Sequence, residues 1–107
     1  SNIFIIKKNI FYTPPISRYI LDGITRKTII SLIKKLKLKL IIKNINIKKL
    51  NEVDEIFFTS TTGGITLCKY FNNKKLDIKK SLELQKKYNK IIAKEMSIKD
   101  KWLDKYC

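Results

Sequence analysis

Apolar residues recur along this chain in short segments whose period changes from two to about 3.6 and back, which constrains its fold more than any other feature. A period of two is typical of a strand with one buried face, and a period near 3.6 is typical of an amphipathic helix. Lysines interrupt every apolar run well before the roughly 20 residues that a membrane span requires. The pattern predicts a mixed α/β domain of short strands and two main amphipathic helices, with no membrane segment.

The predicted elements follow one another in mixed order. A hairpin spans residues 2–13 and stops at Pro14-Pro15, because proline has no N–H to donate to a sheet. The other predicted elements are a turn at Lys7-Lys8-Asn9, a helix from Ile24 to about Leu36, a strand at residues 38–43, a helical turn at Ile47–Asn51, strands at Ile56–Thr59 and Ile65–Phe71, a turn at Asn72-Asn73, a helix from about Ile78 to Lys94 capped by Ser81 or Asp77, and a closing segment in which Trp102 and Leu103 pack.

The basic charge of the chain is spread rather than clustered. Its 107 residues, enough for one modest domain, carry a formal net charge of +15, and among its 24 basic residues only Arg18 and Arg26 are arginines. Nucleic-acid binders more often concentrate arginine with interleaved aromatic residues, which stack on bases and grip phosphates. We therefore expect neither nucleic acid nor a membrane as partner, and a small basic nucleic-acid-binding module is the minor alternative.

The chain contains no histidine and two cysteines, Cys68 and Cys107. The absence of histidine removes Ser-His-Asp and Cys-His catalysis and most transition-metal sites. Two irregularly placed cysteines are too few for a disulfide framework or a zinc site, so we expect free thiols, a cytoplasmic location and no metal.

Two stretches are predicted to converge on an anion. In residues 20–26, Gly23 and Thr25 stand where a loop enters a helix, whose first turn offers unpaired N–H groups and a partial positive charge. In residues 59–65, an apolar strand gives way to hydroxyls and then to Gly63-Gly64, which is typical of a strand end whose backbone approaches a ligand. Each stretch alone fits an ordinary helix cap or β-turn, but both together fit one phosphate.

These stretches belong to a longer series of motifs, which fades after Ile65. In order, it consists of Ser1-Asn2-Ile3-Phe4, Tyr12-Thr13-Pro14-Pro15, Leu21, Gly23-Ile24-Thr25-Arg26, Asp54-Glu55-Ile56-Phe57, Thr59-Ser60-Thr61 and Gly63-Gly64-Ile65. The series resembles the class IV pyridoxal-phosphate (PLP) aminotransferases, which include branched-chain aminotransferases, D-amino-acid transaminases and (R)-selective amine transaminases. The resemblance implies that residues 1–107 are part of the C-terminal, cofactor-binding domain of a longer homodimeric enzyme with the D-amino-acid-aminotransferase-like fold, and that its N-terminal domain is absent here.

The resemblance also implies a cofactor and its ligands. The cofactor is PLP, and Arg26 is expected to be a structural ion-pair partner rather than a ligand. The family's Schiff-base lysine and the glutamate at the pyridine nitrogen lie upstream of Ser1, so we expect no catalytic residue in this segment and no transaminase activity from it alone. The implied cofactor-binding residues are Leu21 on the ring and Gly23, Ile24, Thr25 and Thr61 around the phosphate, and the implied substrate-binding residues are Thr62, Gly63 and Gly64 at the carboxylate.

Amino transfer between a branched-chain amino acid and a 2-oxo acid such as 2-oxoglutarate is the function that the resemblance favours. The room left by Gly63-Gly64 keeps D-amino acids and (R)-amines open as substrates. A lyase acting on aminodeoxychorismate is a further alternative in the same fold, although such members tend to carry Asn-Ser where Thr61-Thr62 stand. A degraded, nonfunctional remnant is the remaining alternative.

Overall fold

The computed structural model describes residues 2–17, 23–61 and 63–106, with side chains up to Lys101. The predicted site residues Leu21 and Thr62, and the predicted packing of Trp102 and Leu103, therefore lie outside what it describes. The predicted mixed α/β class is confirmed. The strands are β1 (Asn2–Lys7), β2 (Ile10–Thr13), β3 (Lys39–Ile42), β4 (Glu55–Ser60), β5 (Gly64–Cys68), β6 (Tyr70–Phe71) and β7 (Lys74–Lys75), and the helices are α1 (Ile24–Lys35), α2 (Lys79–Tyr106) and a 3₁₀ helix at Ile47–Glu52.

Five strands form one sheet in the order β3-β2-β1-β4-β5. β2 and β3 are parallel and are joined through α1, whereas the other neighbours are antiparallel. The predicted turn between β1 and β2 is confirmed, because Lys8 and Asn9 both have positive φ, as a two-residue hairpin turn requires. β2 ends at Thr13, directly before the two prolines.

Each face of the sheet carries its own apolar cluster. α1 and α2 cover one face, where the rings of Phe4 and Phe57 stack with centroids 4.9 Å apart. The 3₁₀ helix and the β6–β7 hairpin accompany a smaller cluster around Ile56 on the other face. The buried residues of the helix-covered face are Phe4, Ile6, Phe11, Ile29, Leu32, Ile33, Phe57, Ile65, Leu84 and Tyr88.

The predicted strand Ile65–Phe71 is wrong in its extent. β5 ends at Cys68, and residues 70–75 form a separate hairpin whose turn, Asn72-Asn73, has positive φ at both residues. A bond from the Leu76 N–H to the Lys69 carbonyl, 2.9 Å long, closes this hairpin. The chain therefore leaves the sheet after Cys68, earlier than the continuous apolar pattern indicates.

The second helix begins where predicted but is longer. Asp77 Oδ1 accepts a hydrogen bond from the Lys79 N–H at 3.0 Å, which confirms Asp77 as the cap, whereas Ser81 lies inside the helix and is buried. α2 ends at Tyr106 rather than near Lys94, because no glycine or proline interrupts that stretch. Within the described residues, no helix is both long and apolar enough to span a membrane.

Candidate functional site

The N-terminus of α1 is open to an anion. Gly23 precedes the helix with φ −68° and ψ 155°, no described side chain caps this end, and the first turn contains no acidic residue. The Lys27 N–H donates to the Gly23 carbonyl at 3.1 Å, so the N–H groups of residues 24–26 precede this bond. Such N–H groups and the helix dipole together favour a phosphate.

The loop between β4 and β5 is tight. Ser60 and Gly64 are partners in the antiparallel register, so the chain reverses direction between them, with Thr61 and Gly63 at its tip. The Gly63 N–H donates to Ser60 Oγ at 3.0 Å, and Gly64 has φ +64°, a conformation that favours glycine. The Gly63 N–H, predicted to meet the substrate carboxylate, is thus engaged within the turn in this structure.

Two of the predicted cofactor-binding residues, Gly23 and Thr61, meet at one place. A Cβ atom added to Gly23 would lie 4.0 Å from Thr61 Oγ1 and 3.8 Å from Asn2 Nδ2. The backbone at the start of α1 and the tip of the β4–β5 loop therefore face each other, although 38 positions of sequence separate Gly23 from Thr61. Hydrogen-bond donors from three elements surround the space beside Gly23.

The hydroxyl of Thr25 ties α1 to β4. Thr25 is buried, and its hydroxyl donates to the Ser60 carbonyl at 2.9 Å. The Tyr88 hydroxyl lies 3.4 Å from Thr25 Oγ1. A threonine hydroxyl has one proton, so Tyr88 is the donor in the second contact. The predicted bond from the Thr25 hydroxyl to phosphate would require the bond to Ser60 to break, whereas a bond from the Thr25 N–H would not.

α2 forms a wall beside the loop. The Tyr88 ring packs against Gly64, and Gln85 Nε2 donates to the Ile65 carbonyl at 3.0 Å. Between this part of α2 and the loop lies an open cleft of about 440 Å³, lined by Thr61, Gly63, Gly64, Tyr88, Asn89, Ile92, Ala93 and Met96. α2 therefore holds the loop in place through both packing and a hydrogen bond.

The site also contains residues that the sequence analysis did not assign to it. Asn2 is 9% exposed and borders Gly23, and Tyr88 is 8% exposed and contacts Thr25. Asn2 occupies an inward position of β1, in phase with Phe4. A polar residue at such a position of the strand pattern could have indicated that Asn2 belongs to the site. Nothing in the sequence pattern indicated that Tyr88 belongs to the site, because its ring is what the buried face of an amphipathic helix would contain in any case.

Arg26, predicted to be a structural ion-pair partner rather than a ligand, makes a structural contact with a backbone carbonyl. Arg26 is buried, and Nη2 of its guanidinium donates to the Pro14 carbonyl at 3.0 Å, which links α1 to the segment after β2. In the part of the chain that the structure describes, no three histidine, cysteine, aspartate or glutamate side chains are grouped so that they could hold a metal ion.

Comparison with known proteins identifies the family to which this chain is similar. The family model of amino-transferase class IV matches residues 1–70. The branched-chain-amino-acid aminotransferase of Pseudomonas aeruginosa is 32% identical over 105 residues, which cover 94% of this chain and 34% of that protein. The curated relatives are thus much longer, and the chain spans between 14% and 34% of their lengths in the matches to Arabidopsis thaliana and Pseudomonas aeruginosa proteins.

Solved structures of such proteins share the fold. The branched-chain aminotransferase from Thermoproteus uzoniensis with norvaline has a TM-score of 0.77 and 34% identity, over 85% of this chain and 31% of that one. An aminotransferase from Brucella abortus bound to the co-factor PLP has a TM-score of 0.72 and 27% identity, over 82% of this chain and 33% of that one. With more than half of its residues matched by the family model, this chain belongs to the class IV aminotransferases.

Proposed function

We propose that residues 1–107 form the phosphate-binding part of a PLP-dependent transaminase that acts on branched-chain amino acids and 2-oxo acids such as 2-oxoglutarate. The observation that carries the proposal is the approach of Thr61 Oγ1 to within 4.0 Å of a Cβ position on Gly23, at the uncapped start of α1. The relatives from Pseudomonas aeruginosa and Thermoproteus uzoniensis, both branched-chain aminotransferases, support the substrate class.

The described residues fit the phosphate of the cofactor. The first turn of α1 has no described capping side chain and no acidic residue, and Asn2 Nδ2, a hydrogen-bond donor, lies 3.8 Å from a Cβ position on Gly23. A dianionic group bound next to Gly23 would meet N–H groups of α1 and the hydroxyl of Thr61. The PLP named in the Brucella abortus structure supports the choice of cofactor.

In this proposal, PLP supplies the electron sink for amino transfer, and the segment supplies binding and orientation. The N–H groups of Ile24 and Thr25 and the hydroxyl of Thr61 hold the phosphate. Leu21 packs on the ring, and Thr62, Gly63 and Gly64 border the substrate carboxylate. Of these, the Gly63 N–H must exchange its bond to Ser60 Oγ for one to the carboxylate.

The remaining parts of the catalytic machinery are proposed to come from outside this segment. These are the lysine that carries the cofactor and the glutamate at its ring nitrogen, so the segment by itself is inactive. We further propose that the complete protein is a cytoplasmic homodimer.

The phosphate site is tested by measuring the dissociation constants of PLP and of pyridoxal, which lacks the phosphate, for the complete protein that contains this segment. Thr61→Val removes one donor at nearly constant volume and should weaken PLP binding about three- to tenfold, the effect of one hydrogen bond, without changing pyridoxal binding. The control is Thr66→Val, at an exposed position of β5, which should change neither constant. If Thr61→Val leaves the PLP constant unchanged, the phosphate does not bind at Thr61.

The substrate class is tested by incubating the PLP-loaded protein with leucine and 2-oxoglutarate and measuring the glutamate formed. Product from leucine supports the proposal. Transfer from D-alanine or an (R)-amine, but not from leucine, would instead identify a D-amino-acid or (R)-amine transaminase, and pyruvate released from aminodeoxychorismate would identify the lyase. A protein that binds no PLP but binds RNA with a steep salt dependence would be a nucleic-acid-binding module.

A further inference from the structure

Two buried polar atoms near the start of α1 lack hydrogen bonds. Asn2 Oδ1 and Thr59 Oγ1 have no partner among the described residues, and Asn2 and Thr59 are 9% and 1% exposed. Buried polar atoms are almost always paired, and an unpaired one costs about 1–3 kcal/mol. The two atoms therefore require an explanation, and they share a location.

Asn2 and Thr59 are direct partners in the β1–β4 register and both face the helices. Side chains paired in this way have Cβ atoms about 4.5–5.5 Å apart. The two side chains are not hydrogen-bonded to each other in this structure, so a bond from the Thr59 hydroxyl to Asn2 Oδ1 requires a change of side-chain rotamer, which would satisfy both unpaired atoms at once. That bond would also fix the orientation of the amide, because it identifies the oxygen side.

In this structure the amide nitrogen of Asn2 lies beside the start of α1. Asn2 Nδ2 lies 3.8 Å from a Cβ position on Gly23, and Thr61 Oγ1 lies 4.0 Å from the same point. Both atoms are donors, and both lie beside a helix end that has no described cap. Three elements, β1, α1 and the β4–β5 loop, thus present donors to one small space.

We propose that Asn2 is a further ligand of the phosphate monoester, donating from Nδ2, and that Thr59 is a positioning residue that orients the Asn2 amide. The inference rests on the proposed function, since the same phosphate site is involved, and it adds β1 as a third phosphate-binding element. A ligand that spans three elements also accounts for the position of Asn2, a polar residue, at an inward site of the central strand of the sheet.

The test uses the complete protein and three ligands: PLP, pyridoxal and inorganic phosphate. Asn2→Asp keeps the shape of the side chain but replaces the N–H donor by a carboxylate oxygen, so PLP and inorganic phosphate should bind roughly ten- to a hundredfold more weakly. Thr59→Val is also close to isosteric and should weaken both about threefold, the effect of a neutral hydrogen bond. Pyridoxal binding should not change in either variant. Asn44→Asp, on an exposed loop, adds the same charge and is the matched control.

The outcomes separate this inference from the proposed function. If the wild-type protein binds no PLP, the proposed function fails. If wild-type binding depends on the phosphate but Asn2→Asp and Thr59→Val lower PLP and pyridoxal affinity equally, or change neither, the two residues are structural and the inference is overturned. If Asn2→Asp fails to fold, the ratio of PLP affinity to pyridoxal affinity is measured on Thr59→Val instead. A loss of inorganic phosphate binding together with that of PLP identifies the phosphate as the group recognised.

Discussion

Replacing Gly64 by alanine tests how the β4–β5 loop packs on α2. Gly64 has φ +64°, where a residue with a Cβ costs about 1–2 kcal/mol. The new Cβ would lie 3.0 Å from Cε1 and 3.4 Å from Cδ1 of Tyr88, whose ring is buried and has little room to withdraw. Overpacking of this kind costs about 1–3 kcal/mol. We therefore expect Gly64→Ala to lower the free energy of unfolding by about 2–5 kcal/mol.

A double-mutant cycle with Tyr88→Ala separates the two contributions. Without the ring, only the backbone term remains, so Gly64→Ala should then cost about 1–2 kcal/mol in denaturant unfolding of the complete protein. Gly23→Ala is the control for stability, because Gly23 has φ −68° and its added Cβ would meet nothing closer than 3.8 Å. It should cost less than about 1 kcal/mol. If Gly64→Ala costs the same in both backgrounds, the added Cβ does not contact the Tyr88 ring. If it costs less than about 1 kcal/mol in the wild type, Gly64 does not have a left-handed backbone conformation.

Three further substitutions test the surrounding structure. Tyr88→Phe removes the hydroxyl contact to Thr25, which is long at 3.4 Å, so PLP affinity measured by equilibrium titration should fall only about two- to fivefold. An unchanged affinity would show that this contact does not contribute to PLP binding. Glu55→Ala removes a buried carboxylate that accepts from the Ser81 N–H and hydroxyl and from the Lys80 N–H, and should cost about 3 kcal/mol in denaturant unfolding. Asp77→Ala removes only the exposed cap of α2 and should cost about 1 kcal/mol in the same assay, so a loss as large as that of Glu55→Ala would contradict this ranking.

Local patterns in the sequence were sufficient to predict most of the helices, strands and turns. The turn predicted at Lys7-Lys8-Asn9, the helix that begins at Ile24 and the cap at Asp77 all appear, although Lys7 itself belongs to β1. Each depends on residues within a few positions of one another: on side chains that tolerate positive φ, on a helical repeat, or on a short acceptor before a helix. The spacing of the motifs also predicted the family, which the comparison with known proteins confirms.

Features that depend on distant segments appeared only in the tertiary structure. Ser81 looked like a cap, yet it is buried because Glu55, on β4, accepts bonds from both its N–H and its hydroxyl. The apolar pattern through Phe71 predicted one strand, but pairing with β4 ends at Cys68, and the rest forms its own hairpin.

The amino-acid sequence by itself determined most of the elements and their order, because periodicity, caps and turn residues act within a few residues of one another. Its series of motifs carried the resemblance to the family. The tertiary structure alone decided which strands became neighbours, and hence that Asn2 would lie beside Gly23, where the sequence analysis had placed only Thr61. The site is assembled from strand pairing and helix packing between residues far apart in the chain, and no local pattern encodes those distances.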